Sequence, residues 1–195
     1  DHSLRIVRSS GSGDFDAAAK AAACAAALQR PPRELIGRTV TFTLGDPAAG
    51  DIFYVRKRTG DAWFSAPIRV NSQPGSAIAL GTIRGAQIAI GENDSVHVAW
   101  NGSGKATPGP GGTPMLYARL NDAGTAFSAQ RNLVTWAGGL NGGGTVAADN
   151  RGDVYVAWHA NAGAKDESGR AVFLAVSTDN GITFGKEKKI DVTSA

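Results

Sequence analysis

Hydrophobic and polar positions alternate with a period of two through two similar stretches, Asp94-Ser95-Val96-His97-Val98-Ala99-Trp100 and Gly152-Asp153-Val154-Tyr155-Val156-Ala157-Trp158. Such alternation marks a half-buried β-strand. A second apolar segment follows each, at 115–119 and 171–176, and then a turn. The turns read Asn121-Asp122-Ala123-Gly124-Thr125-Ala126-Phe127 and Ser177-Thr178-Asp179-Asn180-Gly181-Ile182-Thr183-Phe184. Trp158 follows Trp100 by 58 residues and Gly181 follows Gly124 by 57, so two independent landmarks keep nearly one period. An internal repeat of this length points to stacked supersecondary units. A worn third copy precedes them: 51–56 reads as a strand, and Gly60 with Trp63 repeats the glycine-x-x-aromatic spacing. Arg58 stands near where its aspartate is expected.

The pattern predicts strands at 85–91, 95–101, 114–120 and 130–135 in one unit, and at 144–149, 153–159, 170–177 and 187–192 in the next. An incomplete unit supplies strands at 39–44, 52–57 and 66–70, without an innermost strand. In an antiparallel meander, successive connections alternate between the two ends of the sheet. The short connections 92–94 and 150–152 therefore share an end with the glycine turns. The long ones, 71–84, 102–113, 136–143 and 160–169, gather at the other. Two of these reach the ~12 residues above which a loop is usually functional or disordered, which makes that end the candidate binding surface. Ahead of the repeats, 14–30 is alanine-rich, opens on the capping candidates Ser12 and Asp14, and stops at Pro31-Pro32. It is expected to be one helix, giving an N-terminal segment 1–37 and a repeat region 38–195. Cys24 on that helix is expected to be a small packing residue.

The 26 glycines and seven phenylalanines suit a turn-rich β protein. The net charge of +3 is mild. Lys186, Lys188 and Lys189 form the one basic cluster, which reads as a solvated strand edge rather than a nucleic-acid contact. A single cysteine excludes an intrachain disulfide and a cysteine-based zinc site. No metal or other cofactor is expected, and no apolar run approaches the ~20 residues that span a bilayer. The chain begins at Asp1 rather than methionine, which is compatible with a removed leader.

Ser177-x-Asp179-x-Gly181-x-x-Phe184 resembles the Asp-box of sialidases and related BNR-repeat proteins. Asp122, Gly124 and Phe127 repeat it with Leu120 in place of the leading Ser or Thr. In such a turn the aspartate accepts turn amides, the glycine takes a positive φ, and the aromatic plugs the turn onto the sheet. The resemblance covers about residues 38 to 195. It implies an all-β partial β-propeller of four-stranded antiparallel blades, two full and one incomplete. Closed propellers have about four to eight blades, so the expected partner is a copy of this chain or another chain that completes the ring. A secreted or periplasmic location is also implied.

Arg84, in Thr82-Ile83-Arg84-Gly85, stands where an inner strand begins. The family binds a substrate carboxylate with an arginine at a comparable place, in an Arg-Ile-Pro type motif; the proline is missing here. Arg84 is thus either a carboxylate ligand or a structural strand-end arginine. Asn101 and His159 close equivalent strands at the long-loop end. Trp136, in a glycine-rich connection, is placed to stack on a sugar. These four are the expected ligand-binding residues. Sialidase catalysis also requires two further arginines, an acid/base aspartate and a tyrosine–glutamate pair. Tyr54, Tyr117 and Tyr155 all lie inside predicted strands, while Asp166 and Glu167 lie on a long loop, so the catalytic residues stay unassigned. Two functions follow: a noncatalytic or partial propeller that binds glycan or protein at its long-loop face, or the N-terminal part of an exo-sialidase-type glycoside hydrolase.

Overall fold

The computed structural model describes residues 39–80, 84–164, 166 and 169–191. The helix expected over 14–30, with Cys24, lies outside them. The chain divides into a large unit, Val40–Tyr54 with Pro67–Ala195, and a small one that includes Val55–Ala66. Among the described residues no helix is long and apolar enough to cross a membrane.

The described residues form an all-β structure of three sheets whose strands follow chain order. The first sheet contains β1 (Thr39–Asp46), β2 (Ala49–Arg56) and β3 (Ile68–Arg69). The second contains β4 (Gln87–Ile90), β5 (Val96–Asn101), β6 (Met115–Arg119) and β7 (Arg131–Asn132). The third contains β8 (Leu140–Ala148), β9 (Val154–Ala160), β10 (Ala171–Ser177) and β11 (Lys188–Lys189). The second and third sheets are antiparallel meanders. The outermost strands shrink to two residues each, and β8 begins four residues earlier than the pattern predicts, across a bulge between Leu140 and Gly144. Lys188 and Lys189 are exposed on the edge strand β11, where charge blocks edge-to-edge pairing.

Burial explains why the strand patterns differ. Strands β9 and β10 alternate buried and half-buried positions, whereas all six residues of β5 are buried. The second sheet is packed on both faces. Val96, Val98 and Trp100 join Ile52, Tyr54 and Val70 of the first sheet in one core. Ala99, Met115 and Tyr117 join Val154, Val156 and Trp158 of the third in another. The two repeated tryptophans, 1% and 2% exposed, are the largest side chains in these cores. Truncating such a residue to alanine costs about 3–5 kcal/mol.

The same docking contact occurs twice. Backbone bonds from Val70 to Ile52, Leu133 to Met115 and Ile190 to Val172 put the three sheets in common register. Tyr54, Tyr117 and Leu174 then occupy equivalent positions. Phe127, from the second sheet's turn, meets Tyr54 edge-on at 5.6 Å, and Phe184, from the third sheet's turn, meets Tyr117 at 4.8 Å. Each glycine turn thus seats its aromatic on the preceding sheet.

The Ser177–Phe184 turn is held as its residue types suggest. Asp179 accepts the Thr183 amide and hydroxyl and the Ser177 hydroxyl, at 2.5–2.8 Å. Those bonds, led by the Thr183 hydroxyl, hold its carboxyl down to about 2. Gly181 has φ +79°, and a Cβ there would collide with the Tyr117 hydroxyl. The earlier turn departs from the expectation for Asp122. Leu120 has no hydroxyl to offer the turn, and Asn121 takes the amides of Thr125 and Ala126, while Asp122 points outward to Arg119 at 2.7 Å. In the first sheet's turn, Asp61, not a residue near Arg58's position, accepts the Arg58 amide.

A buried polar chain crosses between the second and third sheets. Ser95 donates to Asn180 Oδ1 at 2.8 Å, so it accepts from His97 Nε2 at 2.9 Å; His97 Nδ1 then accepts from Tyr117 at 2.7 Å. This chemistry requires a neutral imidazole. Burial, with Arg119 adding to it, lowers the His97 pKa to about 4, against an ordinary 6.5. The unfolded chain therefore binds this proton first as pH falls. No stability depends on it above pH 6.5, and the loss accumulates down to about pH 4. The expected loss is on the order of 3 kcal/mol. Urea denaturation between pH 7 and 4 checks this: His97→Gln should show a flatter pH dependence than wild type, and equal slopes would count against it.

Candidate functional site

The connections at the far end of the meanders from the glycine turns interlock. The Gly139 amide donates to the Gly111 carbonyl at 3.2 Å, and the Ala162 amide to the Gly138 carbonyl at 3.0 Å. Arg170 Nη1 adds a bond to the Gly139 carbonyl at 3.1 Å. These contacts fix the path into β8, whose Leu140-Asn141-Gly142-Gly143-Gly144 run crosses the ends of β5 and β9. A Cβ at Gly144 would overlap the Met115 methyl, so Met115 would have to shift to admit one.

Three of the four expected ligand-binding residues meet on this run. Arg84 Nη2 reaches Asn141 Oδ1 at 3.5 Å, a long and weak contact. Asn101, 4% exposed at the end of β5, donates through Nδ2 to the Gly142 carbonyl at 2.8 Å. Its Oδ1 has no hydrogen-bond partner among the described residues. His159, half-buried on β9, lies against Gly142, whose α-carbon would carry a Cβ only 3.4 Å from the imidazole. Arg84 thus borders the exposed Asn141, and Asn101 and His159 border the adjoining, buried Gly142. Arg84 offers a guanidinium fork and His159 an imidazole, which is chemistry for an oxygen-rich ligand, whereas Asn101 is buried and committed to Gly142. Among the described residues no three His, Cys, Asp or Glu side chains cluster as a metal site would require.

Trp136 does not join them. Its indole Nε1 donates to the Glu187 carbonyl at 3.2 Å, its ring meets Phe173 edge-on at 5.2 Å, and Lys186 stands 6.0 Å over its centroid. It is a rim residue of the β10–β11 side, still 42% exposed. The reason is Glu187. Its Oε1 accepts the amides of Thr135, Trp136 and Ala137 at 2.8–2.9 Å, and its Oε2 the Thr135 hydroxyl at 2.6 Å. Burial alone would raise this carboxyl, but the Ala137 amide, the Thr135 hydroxyl and the Trp136 amide outweigh it and leave it below its usual range.

Asn141, Gly142 and Glu187 were not singled out as functional by the sequence pattern. A signal for Glu187 existed. Gln130 lies 57 residues before it, the spacing of the turn glycines, and likewise accepts from the preceding connection, through the Gln73 amide at 3.1 Å and the Ser76 hydroxyl at 3.0 Å. Asp166 is exposed, and Glu167 lies outside the described residues.

Glu187→Ala leaves three amides without their acceptor. It should lower stability by about 3 kcal/mol or more, read as a shift in the urea midpoint, and should also raise the near-ultraviolet mobility signature of Trp136. A midpoint within error of wild type would remove the staple from this account. No protein-family model matches the chain, and comparison with curated proteins gives no match.

Proposed function

We propose that the three sheets are consecutive blades of a sialidase-like β-propeller, and that this chain is a noncatalytic binder of carboxylated glycan at its long-connection end. The observation that carries the reading is the meeting of Arg84, Asn101 and His159 on Asn141–Gly142. A planar guanidinium matches a carboxylate in two parallel hydrogen bonds. The interlocked connections hold the Asn141–Gly142 run in place before a ligand arrives, which reduces the ordering cost of binding.

The alternative, sialidase-type hydrolysis within a longer protein, needs an accessible tyrosine nucleophile. Tyr54 and Tyr117 are 1% and 0% exposed, and the Tyr155 hydroxyl donates to Asp153 within its own strand. Binding is therefore the reading these residues favour. Glycan-array screening tests it. Wild type should retain sugars that carry a carboxylate, and Arg84→Ala should weaken that retention by about tenfold, the effect of losing one charge-assisted contact. Equal retention of acidic sugars by both proteins would overturn the role of Arg84.

The reading also specifies a partner. On the second sheet His97, Ala99, Asn101, Met115 and Tyr117 are buried by the third. Their equivalents on the third sheet, Tyr155, Ala157, His159, Val172 and Leu174, are only half-buried. An apolar face of this kind drives association, and another blade, from a copy of this chain or a different one, fits it. It would cover His159 as the third sheet covers Asn101, which leaves Arg84 as the ligand contact that stays accessible. Light scattering should report species larger than the 20.0 kDa monomer, and Leu174→Arg should reduce them. A monodisperse monomer with cooperative unfolding would overturn this part of the proposal.

A further inference from the structure

We infer a second anion site, at the glycine-turn end and thus remote from Asn141–Gly142, that takes a small oxyanion head group carried on an apolar body. A cavity of about 220 Å³ opens between the turn of the second sheet and that of the third. One wall is polar: Arg119, Arg131, Asn121 and Ser128. The lining is also apolar in part, from Phe127 and Ile182. The volume lies below the range of about 300–1,000 Å³ that suits drug-sized ligands, so it fits a small anion or the charged end of a larger molecule.

The lining holds two guanidiniums and no carboxylate. Arg131 is preset. Its Nη1 donates to the Ile182 carbonyl, and its guanidinium carbon stands 5.7 Å from the Tyr117 ring centroid. Among the described residues no carboxylate forms an ion pair with it. Arg119 pairs only with Asp122, whose side chain is 88% exposed and therefore yields readily to a competing anion. The Nε–H of Arg119 is buried and has no acceptor among the described residues. Asp179, the other nearby acid, has its oxygens occupied by Ser177 and Thr183 within its own turn. Both arginines also place positive charge beside Tyr117, whose hydroxyl burial alone pushes well above its usual range. Of the two cations, one has no ion pair among the described residues and one pairs with an exposed, readily displaced carboxylate. Beside apolar side chains they make a place where an oxyanion gains charge-assisted bonds and its carbon body is shielded from water.

Calorimetric titration of the full chain with sodium sulfate and with sodium benzoate, at ionic strength held constant with sodium chloride, tests the site. Saturable binding of one anion per chain is expected, tighter for benzoate because Phe127 and Ile182 contact its ring. Arg131→Gln should weaken both by about tenfold. Asp122→Asn, a change at an exposed position, should tighten both by freeing Arg119, and it decides the matter even if Arg131→Gln fails to fold. Arg84→Ala should leave both unchanged, which separates this site from the long-connection end. Titrations that do not saturate, or affinities that Asp122→Asn leaves unaltered, would overturn the inference. Equal affinity for the two anions would overturn the apolar body and leave an oxyanion site alone.

Discussion

The fold depends on the seating of two turn aromatics, Phe127 and Phe184, against β2 and β6 of the sheets before them. A four-stranded meander has two faces and little bulk, and it cannot bury both by itself. The second sheet succeeds because it is covered twice. Trp100 anchors one side, Tyr117 receives Phe184 on the other, and between those layers every residue of β5 is withdrawn from water. The turn is therefore both a chain reversal and a dock. Gly181 serves both purposes, since its positive φ closes the turn and its missing side chain admits the Tyr117 hydroxyl. A substitution there would disturb two sheets at once.

What the sequence made legible follows from this contact. Tryptophan, glycine and the following aromatic are large or conformationally special residues with one role each, and their spacing exposed the repeat and the order of the strands. Polar partnerships were less legible because neighbouring side chains can exchange them. Asp122 and Asn121 are adjacent, both can accept a turn amide, and the choice rests on whether residue 120 offers a hydroxyl. Leucine does not, so the amide side chain closes the turn and the carboxylate turns outward. Trp136 was misplaced for a related reason. Its loop belongs to the right end of the meander by topology, but a carboxylate 51 residues later captures its backbone and draws it to the rim. Arg84, Asn101 and His159 all reach the Asn141–Gly142 run because Asn101 and His159 close equivalent strands and Arg84 precedes β4. The Asn141–Gly142 run that joins them was hidden by the bulge in β8.

Buried polarity in this chain is organised so that charge stays out of the sheet interfaces. Ser95, His97, Tyr117 and Asn180 form a chain of neutral donors and acceptors, each satisfied by the next, and a proton on His97 would break the direction of donation along it. Glu187 is the exception, a carboxylate only 2% exposed. It is tolerated because three amides and a hydroxyl replace the water it loses, consistent with the rule that a buried charge survives only when its hydrogen-bonding capacity is filled. Gln130, at the equivalent place, does a similar task without charge, and it collects fewer backbone amides. The difference suggests a reason for the substitution. A neutral amide suffices where the crossing connection also has Asn71 to hold it, through bonds to Ile52, Asp51, Gln73 and Ser76. The connection before β8 has no such residue, and a stronger acceptor replaces it.

That division of labour leaves the two ends of the sheets chemically different. At the glycine-turn end, residues are committed to docking, and the arginines there are the remainder once Asp179 has been consumed by its own turn. At the long-connection end, backbone bonds through Gly111, Gly138 and Gly139 and the side chains of Arg170 and Glu187 hold the connections, so that work does not fall on Arg84. Arg84 illustrates the consequence: its one contact with Asn141 is long at 3.5 Å, too weak to account for an arginine as a structural brace. A cation held loosely beside a rigid glycine run can exchange that contact for a better acceptor with little loss. Loose internal bonding over a rigid frame distinguishes Arg84 from Arg131, whose guanidinium is already fixed against a carbonyl and a ring.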